Sequence, residues 1–369
     1  MMTNAGSWKR AAVVCLGAGM LMPVAPLAMA AESGVTVYGV ISSALRTTSN
    51  IDGKGGNKTE VVASGIGGSR LGISGTEDLG GGNKAIFQLE SGFGTDTGQP
   101  EYGILFGRQA FVGLSGSWGS LTFGRQYNAV NNVGWSFNPL DQSWGNYWSD
   151  PYYTGGDIFM QGYRINNSVI YKRTIGPVSL QLDYGAGEQT GGGTRGSTFG
   201  GGIMYSKDGL GLGAACDERR ASSEGGNTVS NYTLGASYAA GKTTTYIGRM
   251  GRHESAGDAR FVISYIGLGY QLTPALHLSG AFYRYVQGGG VTTQFQAAPI
   301  LLGSGRTNVF AAVADYALSR RTSLFLEADV NDAHDGAVGR ETEYWGSGPV
   351  LGIGHAARKG VMAGLRHQF

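Results

Sequence analysis

The side chains best placed to do chemistry in this sequence are charged rather than nucleophilic. The five histidines, His253, His277, His334, His355 and His367, show no His-Glu-x-x-His or comparable metal spacing. No serine stands in a Gly-x-Ser-x-Gly context, and a Ser-His-Asp triad is not readable from chain order alone because its members need not be close in sequence. The glycine runs at 80–82 and 191–193 belong to a turn and a loop, and neither opens a helix as a phosphate cradle would. We therefore expect no enzyme, no catalytic residue, no metal and no cofactor. Arg70 and Arg164 are more informative. Arg70 is out of phase with Leu71 and Ile73, and Arg164 with Ile165, Val169 and Tyr171. In extended chain, each guanidinium then points away from the apolar face. Glu90 does the same against Ala85, Phe87 and Leu89. Cations and carboxylates facing one water-filled space can align dipolar solutes and bias ion flow.

The elements that carry these residues have period two. Val178, Leu180, Leu182 and Tyr184 alternate with Ser179, Gln181 and Asp183. Leu324, Leu326, Ala328 and Val330 alternate with Phe325, Glu327, Asp329 and Asn331. Runs of about 9–11 such residues between turns are what a membrane-crossing β-strand requires, one face to lipid and one to water. Short turns (at 77–83, 117–120, 176–177, 207–209, 240–242, 273–274 and 319–321) alternate with longer polar links (near 48–63, 95–104, 128–163, 186–198, 220–229, 253–260, 288–305 and 332–354). Short turns on one rim and long loops on the other are the outer-membrane pattern. The expected fold is all-β, a transmembrane antiparallel barrel of about 16 strands. A soluble β-sandwich also alternates, and taken strand by strand both remain open.

The two ends favour the membrane. Lys9 and Arg10 precede an apolar run from Ala11 to Leu27, followed by Ala28-Met29-Ala30, which reads as a secretory signal and its cleavage site. Residues 1–30 are set apart, leaving 31–369 as the barrel domain. At the other end Val361, Ala363, Leu365, His367 and Phe369 share one face, and a strand ending in Phe369 resembles the signal read by the outer-membrane assembly machinery. Without Lys9 and Arg10 the 28 basic and 26 acidic residues become 26 of each. No global basic field exists to recruit nucleic acid. Cys216 is then the one remaining cysteine, so no intrachain disulfide forms, and barrel closure must supply the stability. No mature stretch approaches 18 consecutive apolar residues, which argues against helical spans.

Longer blocks carry a resemblance: Val35-Thr-Val-Tyr-Gly-Val40; Gly68-Ser-Arg-Leu-Gly-Ile-Ser-Gly-Thr-Glu-Asp-Leu-Gly80 with Ala85-Ile-Phe-Gln-Leu-Glu-Ser-Gly92; Phe106-Gly-Arg-Gln-Ala-Phe-Val-Gly-Leu114 with Gly124-Arg-Gln-Tyr127; Tyr163-Arg-Ile-Asn-Asn-Ser-Val-Ile-Tyr171; and Gly364-Leu-Arg-His-Gln-Phe369. The chain resembles the Gram-negative general diffusion porins, in their neisserial-type branch, over essentially its whole mature length. That resemblance implies a 16-stranded barrel assembled as a homotrimer in the bacterial outer membrane, with the third extracellular loop folded inward to narrow the pore. The long link 128–163 is the candidate for that loop.

By the same resemblance Arg108 joins Arg70 and Arg164 as a basic ladder on the pore wall. An arginine on the lipid face at the midplane would cost about 2–4 kcal/mol, which agrees with a lumen position. Asp141, Asp150 and Asp157 of the link, together with Glu90, are the expected acidic partners. The family's further basic residue in the first strand is missing, since Val40 stands there. Arg125, in phase with Leu121, Phe123 and Tyr127, should lie outside. There it either snorkels at the rim or meets Asp96 or Glu101 of a neighbouring subunit at a trimer contact. The link is rich in aromatics (Trp135, Phe137, Trp144, Tyr147, Trp148, Tyr152, Tyr153 and Phe159), which serve either to pack the loop on the wall or as a track for sugars. The expected function is passive diffusion of small hydrophilic solutes and ions, the alternative a substrate-selective channel with a saturable site in 128–163. Membrane lipid and lipopolysaccharide are the remaining expected partners.

Overall fold

In the computed structural model, residues 33–50, 55–62, 65–140, 163–190, 193–290, 301, 303–338 and 356–369 are described. The expected leader, 1–30, and Asp141, Asp150 and Asp157 fall outside them. The strands are β1 (Gly34–Thr48), β2 (Lys58–Val62), β3 (Arg70–Gly80), β4 (Asn83–Gly92), β5 (Gln109–Gly116), β6 (Gly119–Tyr127), β7 (Arg164–Ile175), β8 (Val178–Gly185) and β9 (Thr198–Lys207). They continue as β10 (Leu210–Arg219), β11 (Val229–Ala240), β12 (Thr243–Glu254), β13 (Ala259–Gln271), β14 (Leu276–Gly288), β15 (Gly305–Ala317), β16 (Thr322–Asp335) and β17 (Ala357–Gln368). One helix of note, α1 (Ala129–Phe137), follows β6.

From β3 onward each strand pairs antiparallel with the next, and β17 returns to β1, so the sheet closes. β2 and β3 lie on the same edge of β1, Lys58–Val62 against Ala44–Thr48 and Arg70–Thr76 against Gly34–Val40. They form one interrupted stave. Seventeen strand segments therefore build a 16-stranded barrel. β2 itself falls within a stretch expected to be a loop. It was hidden by its five-residue length, too short to establish a period. Closure leaves no sheet edge, the one way a sheet can satisfy its backbone in lipid. At the seam, Gly39 and Phe369 exchange both backbone hydrogen bonds, at 3.2 and 3.1 Å. Phe369's ring occupies the space a side chain at position 39 would need.

The two faces of each strand exclude the sandwich. Leu182 is 50% exposed while its neighbour Asp183 is 5% exposed. Leu326 is 54% exposed, and Glu327 beside it is fully buried. A soluble sheet buries its leucines and hydrates its acids; here the apolar side chains face outward and the charges face in, as an outer-membrane barrel demands. The expected short turns all appear, among them Gly80 to Gly82, three successive glycines at positive φ (81°, 60° and 78°) joining β3 to β4.

Candidate functional site

Register fixes the inner face. Val40 pairs with Arg70, Gly72 with Glu90, and Glu90 with Gln109, so Arg70 and Glu90 share the lumen side with Tyr38 and Ser42. Arg108 reaches the same place by another route. In β5 the odd positions, Gln109 and Phe111, pair with lumen-facing residues, so continuing the alternation backward would aim Arg108 at lipid. It precedes the strand at a bend instead, and its side chain is 3% exposed beside Glu90.

These residues form one compact network. Arg108 Nε donates to Glu90 Oε1 at 2.8 Å and Nη1 to Glu101 Oε2 at 3.0 Å. Arg70 Nε stands 3.7 Å from Glu90 Oε2, and the Tyr38 hydroxyl donates to the same oxygen at 2.9 Å. Glu90, expected to point inward from the wall as an acidic partner of the arginines, sits among them and compensates their charge. Glu101, a candidate for a subunit contact, has its carboxylate beside Arg108 within its own chain. The direction of a link residue is not set by strand alternation, so sequence could not place it.

Arg164 also enters differently from expected. Gly124 pairs with Ser168 and Gln126 with Ile165, so β7 carries an extra residue, and Asn167 adopts a positive φ of 51°. This bulge breaks the alternation between Ile165 and Ser168. Arg164 lies opposite Tyr127 with its guanidinium 4.6 Å from the Tyr127 ring centre and 4.3 Å from that of Tyr163. Both hydroxyls accept from it, Tyr127's at 2.6 Å. Tyr127 in turn packs edge-on to Trp135 of α1 at 4.9 Å. Arg164 is thus buried in an aromatic clamp at the point where the chain leaves the wall.

There the link 128–163 begins, and it begins with a helix. Asn128 caps α1, accepting from the Asn131 amide at 2.9 Å. Two lumen-facing carboxylates hold this end: Asp183 of β8 accepts from the Ala129 amide and Asp217 of β10 from Asn128 Nδ2, each at 2.6 Å. Negative charge at a helix N-terminus is favourable. Phe137 lies over Gly213 and Gly235, where a Cβ on Gly235 would fall 2.5 Å from the phenylalanine. Pro139 covers Gly267, and Tyr283 of β14 donates to Asn138 Oδ1 at 2.6 Å. Residues 128–140 therefore run along the inner wall from β8 to β14. Trp135 packs against Tyr127 and Phe137 against Gly213 and Gly235, the arrangement that a loop packed on the wall predicts.

A second charged group lines the lumen at the seam. Arg46 of β1, fully buried, binds Asp329 at 2.6 Å and lies 3.6 Å from Glu327. Its phase with Ser42 and Ala44, opposite Ile41 and Leu45, is legible in the sequence. Arg125 keeps its expected outward phase with Phe123, half-buried, with Nε donating to the Gly107 carbonyl at 2.7 Å and Nη1 to Asn166. Asp96 is exposed. Among the described residues, no three His, Cys, Asp or Glu side chains gather as metal ligands would.

The sequence profile of the Gram-negative porins matches residues 12–336. The chain belongs to the Gram-negative porin family. This porin is 40% identical over 144 residues to an outer membrane porin protein of Bordetella pertussis, covering 35% of this chain and 37% of that one. It is 40% identical over 126 residues to the major outer membrane protein P.IB of Neisseria meningitidis, covering 32% and 36%, in keeping with the neisserial-type branch. The matched stretches span little more than a third of those relatives. Among solved structures it is similar to the anion-selective porin from Comamonas acidovorans, with a TM-score of 0.73 at 24% identity over 92% of this chain and 100% of that chain; that likeness concerns the fold. The porin is an outer-membrane β-barrel.

Proposed function

We propose that this porin is a passive, water-filled channel for small hydrophilic solutes and ions, narrowed by the 128–163 segment, and a channel rather than an enzyme. The observation that carries the reading is the inner wall: charged and polar side chains line it, and α1 lies along it inside the ring instead of over the rim. Arg70 and Arg108 with Glu90 and Glu101 form a nearly balanced charged patch on one side, and Arg46 with Glu327 and Asp329 another. Paired charges leave local fields that orient dipoles without a strong net sign. A homotrimer, expected from the family resemblance, fits an outer surface where Arg125 and Asp96 stay near the aqueous rim, and unheated gel mobility reads it directly. Cleavage after residue 30, and assembly through the β17 strand ending in Phe369, complete the proposal.

Solute flux into liposomes tests it. Uptake of a disaccharide and of a same-size non-sugar should both rise linearly with concentration and at similar rates. Saturation confined to the sugar would replace passive diffusion with a binding-selective channel.

A further inference from the structure

The outer face of the barrel carries one feature that the channel does not use. Along the hydrogen-bonding direction Leu234, Arg249, Ser264, Arg284 and Asn308 stand side by side on β11 to β15, all in the outward phase. Arg249 and Arg284 are exposed. Each is set between apolar neighbours on its own stave or the next: Ile247, Ile266 and Phe282 on the short-turn side, Val262 and Val286 on the other. Both lie on the half of their strands nearer the long links. Arg249 is fixed in place, Nε donating to the Tyr232 hydroxyl at 3.3 Å and Nη1 to Ser264 Oγ at 3.2 Å. Among the described residues, no carboxylate lies within ion-pair distance of Arg249 or Arg284. Nearer the rim the situation differs, because Asp258 already accepts from His253 and Arg260, and those hydrogen bonds hold its carboxyl below the usual carboxylate range. Directly below the arginines an apolar cleft of about 870 Å³ opens between Ile203, Leu212, Leu234, Ile247, Ile266 and Phe282.

Two guanidiniums with no carboxylate beside them on a lipid-facing surface are costly unless an anion meets them. The available anion is the headgroup of a lipid, and guanidinium forks match phosphate oxygens in pairs. The geometry points to a binding site for a phosphorylated glycolipid of the outer leaflet: its phosphate between Arg249 and Arg284, with Ser264 Oγ beside it, and an acyl chain in the cleft below. The site lies about half-way round the ring from Arg125 on β6, so the expected subunit contact leaves it open to lipid.

Native mass spectrometry of the detergent-purified porin tests this with diphosphoryl lipid A as the probe and its dephosphorylated counterpart as control. The wild-type protein should retain the phosphorylated lipid about tenfold more strongly than R249L/R284L, a factor equivalent to about 1.4 kcal/mol, and should barely retain the dephosphorylated form. R249K/R284K should fall between, keeping charge without the fork. Single-channel conductance should be unchanged in both variants, which certifies folding and separates this site from the channel reading. If R249L/R284L fails to assemble, Arg284→Gln alone should still weaken retention. Equal retention by wild-type and variant, or equal retention of the two lipids, would overturn the proposal. So would loss of the oligomer band with lipid retention intact, since the surface would then be a subunit contact.

Discussion

Glu90→Gln should turn the pore towards anions. Glu90 is the acid shared by Arg70 and Arg108, at 3.7 and 2.8 Å, and it is 5% exposed. Neutralising it removes one negative charge from a patch that contains two cations and two anions and leaves only Glu101 to answer them. In a narrow lumen the unbalanced guanidinium acts on every ion that passes. The reversal potential measured in a salt gradient should therefore shift in the anion direction. The same substitution should destabilise the protein, because removing one partner of a buried pair costs about 3–5 kcal/mol. That figure is an upper bound here, since lumen water screens the remaining charges. Arg108→Gln should move the reversal potential the opposite way, leaving both Glu90 and Glu101 underpaired. An unchanged reversal potential in both variants would mean that this network lies off the conduction path.

Phe137→Ala should loosen the inward segment without opening the barrel. The ring lies across the floor made by Gly213 and Gly235 and is 4% exposed. Cutting a buried phenylalanine to alanine costs about 3–5 kcal/mol, comparable to what the Asp183 and Asp217 hydrogen bonds provide at the other end of α1, at about 1.5–3 kcal/mol each. With one end still anchored, the segment should fluctuate rather than leave. The expected record is a larger and noisier single-channel current, with heat stability of the strands little altered. Gly235→Val should do the same by filling the floor. Quiet currents of wild-type size would show that α1's seat does not set the width of the pore.

Much of this arrangement was legible in the residues. Alternation in stretches such as Val178 to Tyr184 gives both the strand and the side that faces lipid, since period two leaves a residue only two choices. The same rule gives the inward phase of Arg70, Glu90 and Arg46. It failed where the backbone departs from regular extension. The bulge beside Asn167 shifts the phase at Arg164. Arg108 belongs to a bend, and Glu101 to a link that folds back. The helix α1 is not legible in the sequence, because it is nine residues long and contains Asn131, Asn132 and Gly134, a composition that reads as loop. What makes it a helix is its cap at Asn128, the acids Asp183 and Asp217 that accept from its first residues, and its seat on glycines, all contributed by strands distant in sequence.

The central claim is that alternate residues of these strands line a conducting, water-filled lumen. Neighbouring cysteines test it most directly: Gln88→Cys, on the Glu90 side of β4, and Leu89→Cys, on the lipid side, each in a Cys216→Ser background and recorded in planar bilayers. A water-soluble, charged methanethiosulfonate reagent should lower the current through Gln88→Cys in steps and leave Leu89→Cys unaffected. The reverse pattern, or equal effects at both positions, would contradict the account.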